Sequence, residues 1–177
     1  MVKDNKRQTQ EQLQNIAELP LPDPETLPED IQKYMSVCEE KLGFIPNVIK
    51  AFSLRPEKLR TFISKYNELM LTDESTLTRL EREMIAVVVS SYNHCVYCIT
   101  SHSQAVREYS NDPVLADILV TNYLTAELTS RQRAMLDYAW KMTANVANTG
   151  NEERQSLIDA GFTPEEIFDI NDVVAYF

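Results

Sequence analysis

The chain has 177 residues, 44% of them hydrophobic, enough for one domain with a real core and too apolar for a disordered segment. Its 27 acidic residues against 17 basic give a formal net charge of −10, which repels phosphate backbones and anionic lipid surfaces and excludes nucleic acid and membranes as expected partners. Three cysteines leave an odd one, the start at Met1 is polar with no apolar leader, and the longest apolar run is the hexad Met84 to Val89, so a reducing, cytoplasmic setting is expected.

With only three glycines, the chain reads as helices joined by short, proline-marked loops. Residues 1–27 form a polar lead-in, with one amphipathic turn at Leu13, Ile16 and Ala17, and then a proline-rich arm. Pro20, Pro22 and Pro24 each lack a backbone donor and force the preceding residue extended, so the arm is expected to be non-helical. Residues 28–177 are expected to form a single all-helical domain.

Pro28-Glu29-Asp30 suits a first helical turn, Ile31, Tyr34, Met35 and Cys38 make an apolar stripe, and Gly43 ends it. Cys38 on that stripe reads as a small buried hydrophobe. Pro46 opens a short helix through Leu54, and Pro56 opens another through Leu71 with Leu59, Phe62, Ile63, Tyr66, Leu69 and Met70 inward. Thr76 or Thr78 caps the next, and Glu81 three residues after Thr78 completes a capping box. Val87, Val88 and Val89 could belong to a buried strand, but the unbroken stretch from Leu77 to Tyr92 is long for one, so a helix is predicted. Asn93-His94 breaks it, and a new helix starts at Cys95 or just before. Pro113 begins another, Thr129 or Ser130 caps a long one through Ala147, and residues 148–151 turn. Pro164-Glu165-Glu166 opens the last, which reaches Phe177 with neither cap nor polar tail, as expected of a chain that continues.

The chemistry concentrates in one window. The two histidines, His94 and His102, flank the Cys95-Val96-Tyr97-Cys98 motif. At about 100° per residue, Cys95, Cys98 and His102 fall within roughly 60° of one another on a helix, so one stripe carries two sulfurs and an imidazole. At the helix start, free N–H groups and the dipole favour a thiolate, and an imidazole one turn on can take up and return a proton. These are the parts of a dithiol redox centre. Glu81 and Glu83 lie upstream, and the break at Asn93-His94 could fold Glu83 back toward the sulfurs.

Glu83, Cys95 twelve residues later, Cys98 and His102 together resemble the active-site pattern of the alkylhydroperoxidase D-type proteins in the carboxymuconolactone decarboxylase-like superfamily. The string from Leu80 to Ser91 followed by Asn93 to Cys98, with Gly43 to Val48 and Arg55-Pro56-Glu57, is similar to its uncharacterised peroxidase-related branch. The resemblance covers most of the chain from about residue 20. It implies an all-α, compact helical bundle of the alkylhydroperoxidase D-like type, built round a helical hairpin, with an extended N-terminal arm, assembling as a homo-oligomer. It also implies a thiol-dependent peroxidase. Cys98 would attack a hydroperoxide, Cys95 would resolve the sulfenic acid to a disulfide, and Glu83 and His102 would relay protons. A lipoyl-bearing or other dithiol reductant would reopen the disulfide. No cofactor and no metal is implied. Where the family's peroxidases carry a histidine between the cysteines this chain has Tyr97, which removes one relay member. His94 and Tyr97 are therefore accessory candidates only.

Three rivals stand beside this reading. Cys95, Cys98 and His102 could ligate zinc with His94, Glu83 or water, although structural zinc sites usually bring a second ligand pair from elsewhere. The dithiol could be a non-enzymatic redox switch or a general oxidoreductase. A decarboxylase is a weaker option, because members with that activity generally lack the cysteine pair. Tyr92, Tyr97, Tyr109 and Trp140 could line an apolar pocket for an organic hydroperoxide, or simply belong to the core or a subunit interface.

Overall fold

A computed structural model of the chain describes residues 19–177, so the amphipathic turn expected near Leu13 lies outside the described residues. Among them there are nine α-helices and no strand. They fall into two compact units, Met1–Lys65, described from residue 19, and Tyr66–Phe177.

In the first unit the arm is extended only to Asp23. Asp23 then caps a single 3-10 turn, Pro24–Thr26, by accepting from the Glu25 N–H at 3.1 Å. Leu27 is buried and joins Ile31 and Met35 of α1 (Glu29–Leu42), Ile49 of α2 (Asn47–Phe52) and Leu59 of α3 (Pro56–Tyr66) in a small core. Helix α1 ends where Gly43 takes φ 79°, a left-handed conformation that costs glycine little, and its N–H bonds back to Glu39 O at 2.9 Å. Arg60 on α3 grips Asp30 on α1 with two hydrogen bonds, 2.7 and 2.8 Å, and holds that carboxyl below its ordinary range. Cys38 is free and buried. Burial pushes its thiol up, with the Tyr34 hydrogen bond pulling the other way, as suits a packing residue.

The second unit is organised around α4 (Arg79–Tyr92), which touches α5 (Val96–Ser110), α6 (Leu115–Asn122), α7 (Ser130–Asn145) and α9 (Pro164–Tyr176). Ten consecutive residues, Glu81 to Ser90, are buried, as expected of a helix surrounded on every side. The valine run is therefore helix, in agreement with its length. Thr78 is the cap. Its Oγ1 accepts from the Glu81 N–H at 3.1 Å, and Glu81 Oε2 accepts from the Thr78 N–H at 2.9 Å. Thr78→Ala is expected to cost about 1 kcal/mol in urea unfolding, and no measurable loss would mean that the cap is replaced by solvent.

Several elements differ from the sequence-based expectation, the first being the helix opened by Pro46, which ends at Phe52 rather than Leu54. The helix opened by Pro56 does not continue as α to Leu71. It loosens to a π turn at Asn67–Leu71, whose end is held by buried Arg82 donating to Leu69 O at 3.2 Å and to Thr72 O at 3.0 Å. The helix after Pro113 begins only at Leu115, because Asp112 Oδ1 takes the Val114 and Leu115 N–H groups into a turn first. Helix α7 stops at Asn145 and tightens to a 3-10 turn, Val146–Asn148. Helix α8 (Asn151–Asp159) was not foreseen. Only Leu157 of it is buried, so it carries no apolar period to read, although Glu153 reaching back to the Gly150 N–H at 2.8 Å is a legible start signal.

Among the described residues no helix is long and apolar enough to cross a membrane.

Candidate active site

Helices α4 and α5 form a hairpin whose turn is Asn93, His94 and Cys95. His94 bends the chain by adopting φ 54°, a left-handed conformation unusual for a residue with a β-carbon. The Cys95 N–H then bonds Ser90 O at 3.0 Å. Cys95 itself is the N-cap of α5, and its Sγ accepts from the Cys98 N–H at 3.3 Å. A sulfur here faces the unpaired donors and the positive end of the helix, which favours its anionic form.

Cys95 and Cys98 are joined in a disulfide with their Cα atoms 5.4 Å apart. Both are partly buried, close enough to solvent for a reductant to reach. One turn beyond Cys98 stands His102, 8% exposed, and its Nδ1 meets Glu83 Oε2 of α4 at 2.6 Å. Glu83 is 5% exposed. A carboxylate can only accept, so in a Glu83 carboxylate–His102 pair Nδ1–H is the donor and Nε2 is the ring nitrogen left for other partners. Burying a carboxylate costs several kcal/mol unless it is hydrogen-bonded (roughly 2–7 for a polar group). The hairpin therefore brings the carboxylate, the imidazole and the two sulfurs into one small region.

The remaining candidates separate. Glu81, two residues from Glu83, is structural: it completes the Thr78 cap and pairs with Arg131 at 3.2 Å. His94 is exposed in the turn rather than on the helix. It helps wall an open groove of about 590 Å³ with Tyr92, Ile99, Val120 and Trp140. Tyr92 and Trp140 meet edge to face with centroids 5.0 Å apart. Tyr97 and Tyr109 are exposed and do not line this groove, so the aromatic pocket keeps two of its four expected members. Among the described residues no group of three or more His, Cys, Asp or Glu side chains has metal-holding geometry.

Two contacts of this region have no signal in the sequence. Asn93 Nδ2 donates to Phe177 O at 3.2 Å, and the Phe177 ring lies against His102 with centroids 4.4 Å apart. Both partners are more than seventy residues apart in the chain, and no local pattern announces them.

Residues 57–139, which include the whole α4–α5 hairpin, match the carboxymuconolactone decarboxylase family. The chain is 49% identical to an uncharacterised peroxidase-related protein from Silicibacter sp. TM1040, over 91% of this chain and 83% of that one, with a TM-score of 0.85. It is 38% identical to a second, from Ralstonia eutropha JMP134, described as an alkylhydroperoxidase AhpD core, over 91% and 84%, with a TM-score of 0.86. The debrominase Bmp8 shares the fold at 19% identity and a TM-score of 0.72, over 88% and 81%. No curated protein matches the chain. With the helical hairpin, the disulfide and two relatives of this similarity, the chain belongs to the carboxymuconolactone decarboxylase-like superfamily, among its alkylhydroperoxidase D-like, peroxidase-related members.

Proposed function

We propose that the protein is a thiol-dependent peroxidase cycling Cys95 and Cys98 between dithiol and disulfide. The observation that carries this is the buried Glu83–His102 pair one helical turn from Cys98, beside a disulfide at a helix start.

In the reduced protein His102 Nε2 takes the Cys98 thiol proton, directly or through a water, and Glu83 steadies the resulting imidazolium. The Cys98 sulfur attacks the terminal oxygen of the hydroperoxide. The O–O bond breaks, the alkoxide leaves with the proton from His102 as alcohol, and Cys98 becomes a sulfenic acid. The Cys95 thiolate then attacks the Cys98 sulfur, and hydroxide leaves with a proton as water, forming the Cys95–Cys98 disulfide. A dithiol, for which a lipoyl group is the nearest chemical match, reduces it and is itself oxidised to a disulfide. The groove walled by Tyr92, Ile99, Val120 and Trp140 suits the apolar end of an organic hydroperoxide. Assembly as a homo-oligomer is part of this proposal.

Purified protein with dihydrolipoamide or dithiothreitol is expected to consume hydroperoxide over many turnovers. Glu83→Gln is expected to lower the rate about 100-fold, the usual share of one general acid–base partner. One stoichiometric oxidation followed by silence under every dithiol would replace the peroxidase with a redox switch.

A further inference from the structure

The end of α9 reaches the redox turn at two points. The Phe177 ring stands nearly perpendicular to the His102 imidazole, with centroids 4.4 Å apart and planes at 78°. The Phe177 carbonyl accepts from Asn93 Nδ2 at 3.2 Å, and Asn93 is the C-cap of α4, two residues before Cys95. One residue thus touches the turn upstream of the first sulfur and the imidazole downstream of the second. The neighbouring Tyr176 ring lies 5.3 Å from Phe177, and burial pushes the Tyr176 hydroxyl up to about 12, the mark of a dry surrounding.

We propose that Phe177 is a positioning residue for the Glu83–His102 pair, its ring closing one side of the imidazole against water and fixing its plane. A charge-assisted hydrogen bond strengthens as competing water is excluded. With the ring in place the Nδ1–H stays on Glu83, and Nε2 is left to serve the sulfurs. Without it, water reaches the Glu83–His102 contact, the imidazole can tilt, and the relay loses its alignment.

This rests on reading Glu83–His102 as a proton relay, but its readout does not need turnover. The chain has two histidines, so ¹⁵N-histidine labelling with a His94→Gln reference isolates the His102 signals. The His102 Nδ1–H is expected to exchange slowly with water in the native protein. In Phe177→Ala it should exchange about tenfold faster, the scale of one aromatic pair. Phe177→Leu keeps apolar bulk without the ring and should still exchange about threefold faster than the native protein, the lower part of the range for an aromatic pair, which decides the matter if the alanine variant does not fold. Where turnover is present, Phe177→Ala should lower kcat with little change in KM. Rapid exchange in the native protein, or unchanged exchange in both variants, overturns the proposal. Ring-dependent protection in a protein that turns over no peroxide would overturn the peroxidase reading and leave this one standing.

Discussion

Cys98→Ser is expected to lower peroxide turnover more than about 1,000-fold, because in the proposed cycle Cys98 forms the S–O bond and removing a nucleophile usually costs at least that much. Cys95→Ser should behave differently. It keeps the attacking sulfur and the Glu83–His102 pair but removes the only sulfur bonded to Cys98. The sulfenic acid then has no partner, and mass spectrometry should find one added oxygen on Cys98 after a single equivalent of peroxide. The competing assignment has a physical basis, since Cys95 is the sulfur at the helix cap and receives a backbone N–H. If the trapped oxygen appears on Cys95 in Cys98→Ser instead, the two roles are exchanged. If both variants consume peroxide like the native protein, the dithiol mechanism is wrong.

Arg131→Met is expected to be the most destabilising substitution outside the apolar core. Arg131 on α7 donates to Glu166 Oε1 of α9 at 2.6 Å, to Glu81 Oε1 of α4 at 3.2 Å and to Gly161 O at 3.2 Å, and its guanidinium lies 3.6 Å over the Phe162 ring. It is the cation that ties three helices together, and both carboxylates are buried. Methionine keeps the stem and leaves two buried acids without their cation, each still holding its capping hydrogen bonds. Removing one partner from a buried ion pair costs about 3–5 kcal/mol, and the partial exposure of Arg131 argues for the lower end. A fall in Tm of roughly 10 °C corresponds to that loss.

The pH dependence supplies a second check. Burial works to raise the Glu166 carboxyl, but the Thr163 N–H and Arg131 outweigh it, and the folded group titrates below its ordinary 4.5. A carboxyl depressed in the folded state stabilises the protein above its unfolded value, and that contribution is lost as pH falls through the folded one. The native protein should therefore lose part of its advantage over Arg131→Met as pH drops below 4.5. Adding Glu81→Gln and Glu166→Gln to the variant should recover part of the loss at neutral pH. A Tm within 2 °C of native at pH 7 would show that water replaces the guanidinium, since a buried carboxylate pair without its cation cannot cost so little.

How far the site can be read from residues alone depends on the range of each interaction. Cys95, Cys98 and His102 are spaced at one and two helical turns, so a helix through all three would align them; in the folded chain Cys98 and His102 lie one turn apart on α5, while Cys95 is its N-cap with extended backbone. Thr78 with Glu81, and Pro164 with the acids after it, are likewise local, because a cap involves only the next three backbone groups. The helical state of Met84 to Val89 followed from length and the absence of breakers. Glu83 was singled out by family resemblance, since spacing could not separate it from Glu81 two residues earlier.

The fold separated them. On a helix two residues differ by about 200°, so one acid of the pair turns to Arg131 on α7 and the other to His102 on α5. Arg131, Glu166, Asn93 and Phe177 acquire their roles from contacts spanning 35 to 84 residues. Nothing in a run of neighbours encodes which distant helix will arrive. Composition, period and caps settled the helices and the sulfur–imidazole stripe, because these are interactions within one or two turns. Which carboxylate meets the histidine, and which ring covers it, was settled by helix packing, because only the packed core brings such distant side chains into contact.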